Sequence, residues 1–190
     1  MTGRFFSVDE ARQMARSRLP RMMFDFVDGA AGDESLRDIN SHAIDAIRLM
    51  PRVLADVSTR KISHHILGMQ TGHPFGIAPM GMCNLTWPGA EIMLARAAAA
   101  RRIPVCVSTA SSTTLEAMQE AADGNAWFQL YADRSPAFTD ELVDRADAAG
   151  YEVLILTVDV PVLSQRTRDL RNGFQYPFRW GPRQLWDLAT

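Results

Sequence analysis

Three apolar runs of this chain end on side chains that can do chemistry, and in each run those side chains sit on alternate positions. Ser108 and Ala110 follow Cys106 at spacings of two, Gln129 pairs with Tyr131, and Thr157 pairs with Asp159. In an extended chain, residues two apart point the same way, so each set faces one side. A hydroxyl, an amide, a phenol and a carboxylate on that side can hydrogen-bond a small molecule and hold or move a proton. Any one pair could be an ordinary polar strand end entering a loop. Their recurrence at successive run ends points to one shared pocket.

The elements that must position these groups repeat. Short apolar runs, FGIAPMG from Phe75, PVCVSTA from Pro104, AWFQLYA from Ala126 and EVLILTVDVP from Glu152, alternate with amphipathic stretches. Those stretches, Gly89 to Arg102, Thr113 to Ala122 and Pro136 to Ala149, have helical periodicity. Apolar strands alternating with helices indicate an α/β fold with a parallel sheet covered by helices and joined by right-handed crossovers. In a β/α barrel the C-terminal ends of such strands form the active site.

Upstream, Ser7 and Glu10 form a capping box, and Pro20 ends the helix that follows. RMMFDFVDGAAGD reads as a short helix and turn, Asp33 to about Ile47 as a second helix, and Ser58 to Gly72 as a hairpin. The expected organisation is a helical preamble with hairpin over 1–73, four strands over 74–165, and a lid or interface segment over 166–190.

Composition narrows the function. With 190 residues, 47% hydrophobic, the chain can build a core without metal or disulfide support. Cys83 and Cys106 are too few for a secreted framework, which suggests a reducing, cytoplasmic setting. Twenty basic and 22 acidic residues, mixed along the chain, argue against nucleic acid. Lys61 is the sole lysine, and His42, His64, His65 and His73 lack metal-ligand spacing. No glycine-rich nicotinamide fingerprint follows a strand.

LPRMMFDFVDGAAGDE, PFGIAPMGM, WPGAE, VSTASS, WFQLY, LTVDVP and RDLRNGF, in this order and spacing, resemble the FMN-dependent 2-hydroxy-acid oxidases and dehydrogenases of the glycolate oxidase, lactate oxidase and (S)-mandelate dehydrogenase type. That resemblance implies a TIM (β/α)8 barrel, of which this sequence carries the helical preamble and the first four βα units. It implies FMN as cofactor, with Pro79, Met80 and Gly81 against the ring and Ser108, Gln129 and Thr157 on its polar edge. It assigns Tyr131 to the substrate hydroxyl, Arg166 to the substrate carboxylate, and Asp159 to the catalytic histidine. A planar guanidinium fork suits a carboxylate.

Several positions depart from the commonest family pattern. Phe26 stands where many members have a tyrosine that contacts the carboxylate, and Met80 where a smaller residue is usual. Ala110 stands where glycolate oxidase has tryptophan, so the cavity should admit a large, aryl-type substituent. Gly81 resembles the mandelate dehydrogenase pattern and favours a quinone-type acceptor over oxygen.

The resemblance also implies that the histidine base, a lysine, a second arginine and the phosphate site lie on a C-terminal half-barrel. The expected partners are thus a small 2-hydroxy acid and a second polypeptide carrying that half, within a homotetramer of the complete enzyme. Aromatic and basic residues mixed over 169–190 suit a lid, or a contact with the inner face of the cell membrane. The competing reading is a non-catalytic half-barrel that binds flavin or a partner protein.

Overall fold

The computed structural model describes residues 5–159, 162, 164–174 and 181. The chain divides into two compact units, residues 1–53 with 160–190, and residues 54–159.

In the first unit, helix α1 (Val8–Arg16) starts where Ser7 Oγ accepts from the Glu10 amide at 3.1 Å. Glu10 reaches back to accept from the Phe6 amide at 2.7 Å, which completes the reciprocal cap. Helix α2 (Arg21–Asp28) follows Pro20 and buries Met22 and Phe24. Helix α3 (Ser35–Asp45) is shorter at both ends than the periodicity suggested. It starts after Glu34, whose φ of 66° cannot continue from a helix.

The second unit opens with an antiparallel hairpin of β1 (His64–Ile66) and β2 (Met69–Thr71). Leu67 and Gly68, at φ 47° and 85°, supply the two left-handed residues that a tight hairpin turn needs. Four strands follow, β3 (Ile77–Met80), β4 (Val105–Ser108), β5 (Ala126–Tyr131) and β6 (Leu154–Thr157). They form one parallel sheet in chain order. The connecting helices are α4 (Ala90–Arg101), α5 (Leu115–Ala121) and α6 (Pro136–Ala148). The run from Glu152 forms ladder only over Leu154–Thr157, so Asp159 lies beyond the strand rather than in it.

Parity sorts the sheet into two faces. Val105, Val107, Ala126, Phe128 and Leu130 pack with Ala95, Ala98, Leu115, Met118 and Ala146 from the helices, forming the core. Phe128 is 1% exposed, and truncating it to alanine should cost about 3–5 kcal/mol. Tyr151 closes the core edge to face on Phe128 at 6.2 Å and donates to the Leu115 carbonyl at 2.8 Å. On the same face, Leu154 and Leu156 of β6 stay half exposed.

The hairpin sits at the N-terminal end of the sheet. The Gly72 amide donates to the Arg102 carbonyl at 2.7 Å, and Trp127 Nε1 reaches Met69 Sδ at 2.7 Å. A Cβ on Gly72 would lie 2.4 Å from the Arg101 carbonyl oxygen, so glycine is required for this approach. The C-terminal strand ends are left open for other use.

In the first unit the chain returns as α7 (Thr167–Asn172), which packs on α2. The expected lid or membrane segment falls mostly at 175–180 and 182–190, outside the described residues.

Candidate active site

Register brings the polar ends of β4, β5 and β6 side by side. Ser108 is opposite Gln129, Gln129 opposite Ile155, and Tyr131 opposite Thr157, so these side chains lie on one face of adjacent strands. Ser108 and Gln129 are buried, Thr157 is half-buried, and Tyr131, Pro79, Met80, Ala110 and Asp159 are exposed. Gln129 Nε2 donates to Thr157 Oγ1 at 2.8 Å. The Thr157 hydroxyl therefore accepts on one side and keeps its own proton to donate. Ser108 Oγ accepts from the Ala110 amide at 3.1 Å, which turns the loop after β4.

At β3 the ladder shifts register between Ile77 and Met80, around Pro79, which has no amide proton to give. Beyond the shift, the Met82 amide donates to the Ala110 carbonyl at 2.9 Å and brings Gly81 against Ala110. A Cβ on Gly81 would meet Ala110 Cβ at 2.9 Å, closer than neighbouring carbons tolerate. Glycine and alanine thus line a narrow wall beside the hydrogen-bonding row. Cys106 is buried on the strand below Ser108, and burial pushes its thiol up to about 11, so it is protonated at neutral pH.

Phe26 and Arg166 meet in the first unit. Arg166 Nη2 donates to the carbonyls of Phe26 at 2.5 Å and Gly29 at 3.0 Å, and Nε lies 2.9 Å from Asp169 Oδ2. Its guanidinium stands 5.2 Å from the Phe26 ring centroid, and that ring stacks on Phe174 at 4.6 Å. Both bidentate edges of a guanidinium include one terminal nitrogen in common, and here that nitrogen is committed to main chain. Burial raises the pKa of Asp169, the Arg166 charge opposes that, and Asp25 adds to it.

Arg168 holds the same region by ion pairs to Asp28 at 2.9 Å, Glu34 at 2.5 Å and Asp25 at 3.5 Å. Arg12 adds a two-pronged bond to Asp28 at 2.5 and 2.9 Å. The Asp28 carboxyl is held well below its ordinary value, at about 2. The Arg12 hydrogen bond is the largest cause, burial opposes it, and Arg168 reinforces it.

Two residues absent from the expectations shape the strand ends. Thr109 Oγ1 donates to the Gln129 carbonyl at 2.7 Å and accepts from the Tyr131 amide at 3.0 Å, extending the β4–β5 tie past the ladder. Glu91, in the first turn of α4, is 3% exposed and receives donors from the loops after β3 and β4. Burial drives its pKa up, but hydrogen bonds from Thr113, Ser112, Ser111 and Cys83 outweigh that and leave it below the ordinary value. The motif WPGAE signals an acid at a helix start, though not what it holds.

A parallel sheet in chain order, with helices on one face and polar side chains in a row at the strand C-termini, is the arrangement of consecutive βα units of a β/α barrel. The model of the FMN-dependent dehydrogenase family matches residues 15–190, and the chain belongs to that family. It is 35% identical over 187 residues to (S)-mandelate dehydrogenase of Pseudomonas putida, covering 98% of this chain and 47% of that protein. It is 36% identical over 186 residues to 4-hydroxymandelate oxidase of Amycolatopsis orientalis, covering 98% and 52%.

Among solved structures it is similar to the monotopic membrane protein (S)-mandelate dehydrogenase, with TM-score 0.89, 35% identity, and coverage of 98% of this chain and 50% of that one. The chain therefore spans about half the length of these relatives. The family assignment agrees with the expected fold, with FMN as cofactor and with an oxidoreductase class.

Proposed function

We propose that this chain forms the flavin-facing half of an enzyme that oxidises a 2-hydroxy acid, of mandelate-like size, to the 2-oxo acid. The observation that carries the reading is the row from Ser108 through Gln129 to Thr157, beside a wall at Gly81 that even one methyl would crowd. These residues fit a flat heteroaromatic ring whose edge alternates acceptors and donors. Ser108, Gln129 and Thr157 would hold that edge, while Pro79, Met80 and Gly81 would lie against the ring. When bound, FMN supplies the two-electron acceptor that no protein side chain provides.

The remaining assignments follow the chemistry of each group. Tyr131 hydrogen-bonds the substrate hydroxyl and orients the α-carbon. Asp159 orients a histidine base and favours its charged form as it takes the hydroxyl proton. Arg166 neutralises the substrate carboxylate through Nη1, Nη2 being committed to main chain and the charge shared with Asp169, so a second cation should share the anion. Phe26 contributes an apolar wall without the tyrosine hydroxyl, and Ala110 leaves space for an aryl group. The relatives' names, mandelate dehydrogenase and 4-hydroxymandelate oxidase, support an aryl substrate. Gly81 keeps a quinone-type acceptor as the favoured one.

The reading calls for further polypeptide carrying the base and the phosphate site, and for assembly as a tetramer. The half-exposed Leu154 and Leu156 on the edge strand support such a covering element. Peripheral contact with the inner membrane face through 169–190 is part of the proposal, supported by the monotopic neighbour. Among the described residues no helix is long and apolar enough to cross a membrane.

The test is anaerobic mixing of the flavin-loaded, full-length protein with (S)-mandelate or (S)-lactate. The visible flavin absorbance should bleach with both, faster with mandelate. A colour that stays yellow with both acids contradicts the enzymatic reading and leaves a binding module.

A further inference from the structure

Glu91 is a buried acid without an ion-pair partner among the described residues, an arrangement that costs free energy unless its oxygens are fully used. They are used in a crossed pattern. Oε1 accepts the Cys83 amide at 3.1 Å and the Ser112 amide at 3.0 Å. Oε2 accepts Ser111 Oγ at 2.9 Å and Asn84 Nδ2 at 3.4 Å. Each oxygen thus takes one donor from the loop after β3 and one from the loop after β4.

Asn84 doubles the link, since its Oδ1 accepts from the Glu91 amide at 3.3 Å and its Nδ2 also reaches Thr113 Oγ1 at 3.1 Å. Position in α4 helps as well, because a carboxylate in the first turn faces the positive end of the helix. The two loops it joins contain Gly81 and Ala110, the pair whose Cβ positions leave no slack.

We propose that Glu91 is a positioning residue whose single carboxylate sets the two loops as one unit, fixing the gap between Gly81 and Ala110 against which the flavin ring rests. The cofactor half of this inference rests on the reading above; the tie between the loops does not. A carboxylate alone accepts all four donors. A glutamine that keeps its oxygen on the Cys83 and Ser112 amides turns its NH2 toward Asn84 Nδ2, itself a donor, and forces the Ser111 hydroxyl to reverse and accept, and an aspartate would fall short by a methylene.

The test compares wild type with Glu91→Gln and, as a milder change, Ser111→Ala, in the full-length protein. Hydrogen exchange is read first, without flavin. In Glu91→Gln the amides of Cys83 and Ser112 should both lose protection, by about tenfold or more, while Phe128 and Leu130 of β5 hold theirs. In Ser111→Ala the Cys83 amide, on the other loop, should also exchange faster, and this variant carries the test if Glu91→Gln fails to fold. Loss confined to one loop, or spread equally through β5, overturns the inference.

With flavin, Glu91→Gln should weaken FMN binding about tenfold and lower kcat while KM stays within about twofold. Unchanged FMN affinity beside mobile loops would overturn the cofactor half. A wild-type protein that takes up no FMN would overturn the flavin reading and that half with it, and coupled exchange would still uphold the tie.

Discussion

A methyl group decides much at Gly81. The Cβ position there falls 2.9 Å from Ala110 Cβ and 3.3 Å from the Ala110 carbonyl oxygen, with backbone on one side and a branchless side chain on the other. Gly81→Ala should therefore destabilise the protein by about 1–3 kcal/mol, and adding Ala110→Gly should recover most of that. Denaturant unfolding of the two single variants and the double variant measures the coupling. Strict additivity would show that the contact carries no strain. At this scale the shared face was readable: placing a hydroxyl, an amide and a phenol at alternating strand-end positions on one side needed only period-two geometry. Glu91 was not readable, because its partners Ser111 and Ser112 lie 20 and 21 residues away, and only folding brings them together.

Helices α2 and α7 show how charge adds to apolar burial in holding an element. Arg168 reaches Asp28 and Glu34 from more than 130 residues away, and Asn172 Nδ2 donates to Asp25 at 2.7 Å. The Asp28 carboxyl has its pKa lowered from 3.8 to about 2 by Arg12 first and, against burial, by Arg168. A depressed carboxyl stabilises the fold fully above its ordinary value and loses that contribution as pH falls through about 2. Arg12→Ala should raise the Asp28 pKa part of the way back, since Arg168 remains, and should move acid unfolding to higher pH. Carboxyl-carbon NMR titration reads this directly; an Asp28 that titrates near 3.8 in wild type would refute the clamp.

The elements themselves were legible from local signals. Ser7 with Glu10, Pro20, and the apolar strands between amphipathic helices each fixed a boundary to within a few residues. The committed Nη2 of Arg166 was not legible, because its acceptors are carbonyls 137 and 140 residues away, which carry no sequence signature.

For the whole molecule, chain-order pairing of four parallel strands places all their C-terminal ends along one edge, and that edge is where the family's chemistry is proposed to occur. Membrane association belongs to this scale. Trp180→Ala with Trp186→Ala should reduce co-sedimentation of the full-length protein with anionic vesicles, and equal pelleting would remove the membrane proposal. The central claim is that these strand ends hold a flavin. The most direct measurement is titration of flavin-free, full-length protein with FMN, following flavin fluorescence in wild type and in Gln129→Met. The expected result is saturable one-to-one uptake by wild type, weakened about tenfold or more when the buried amide is lost. No uptake, or identical affinity in the two proteins, would contradict it.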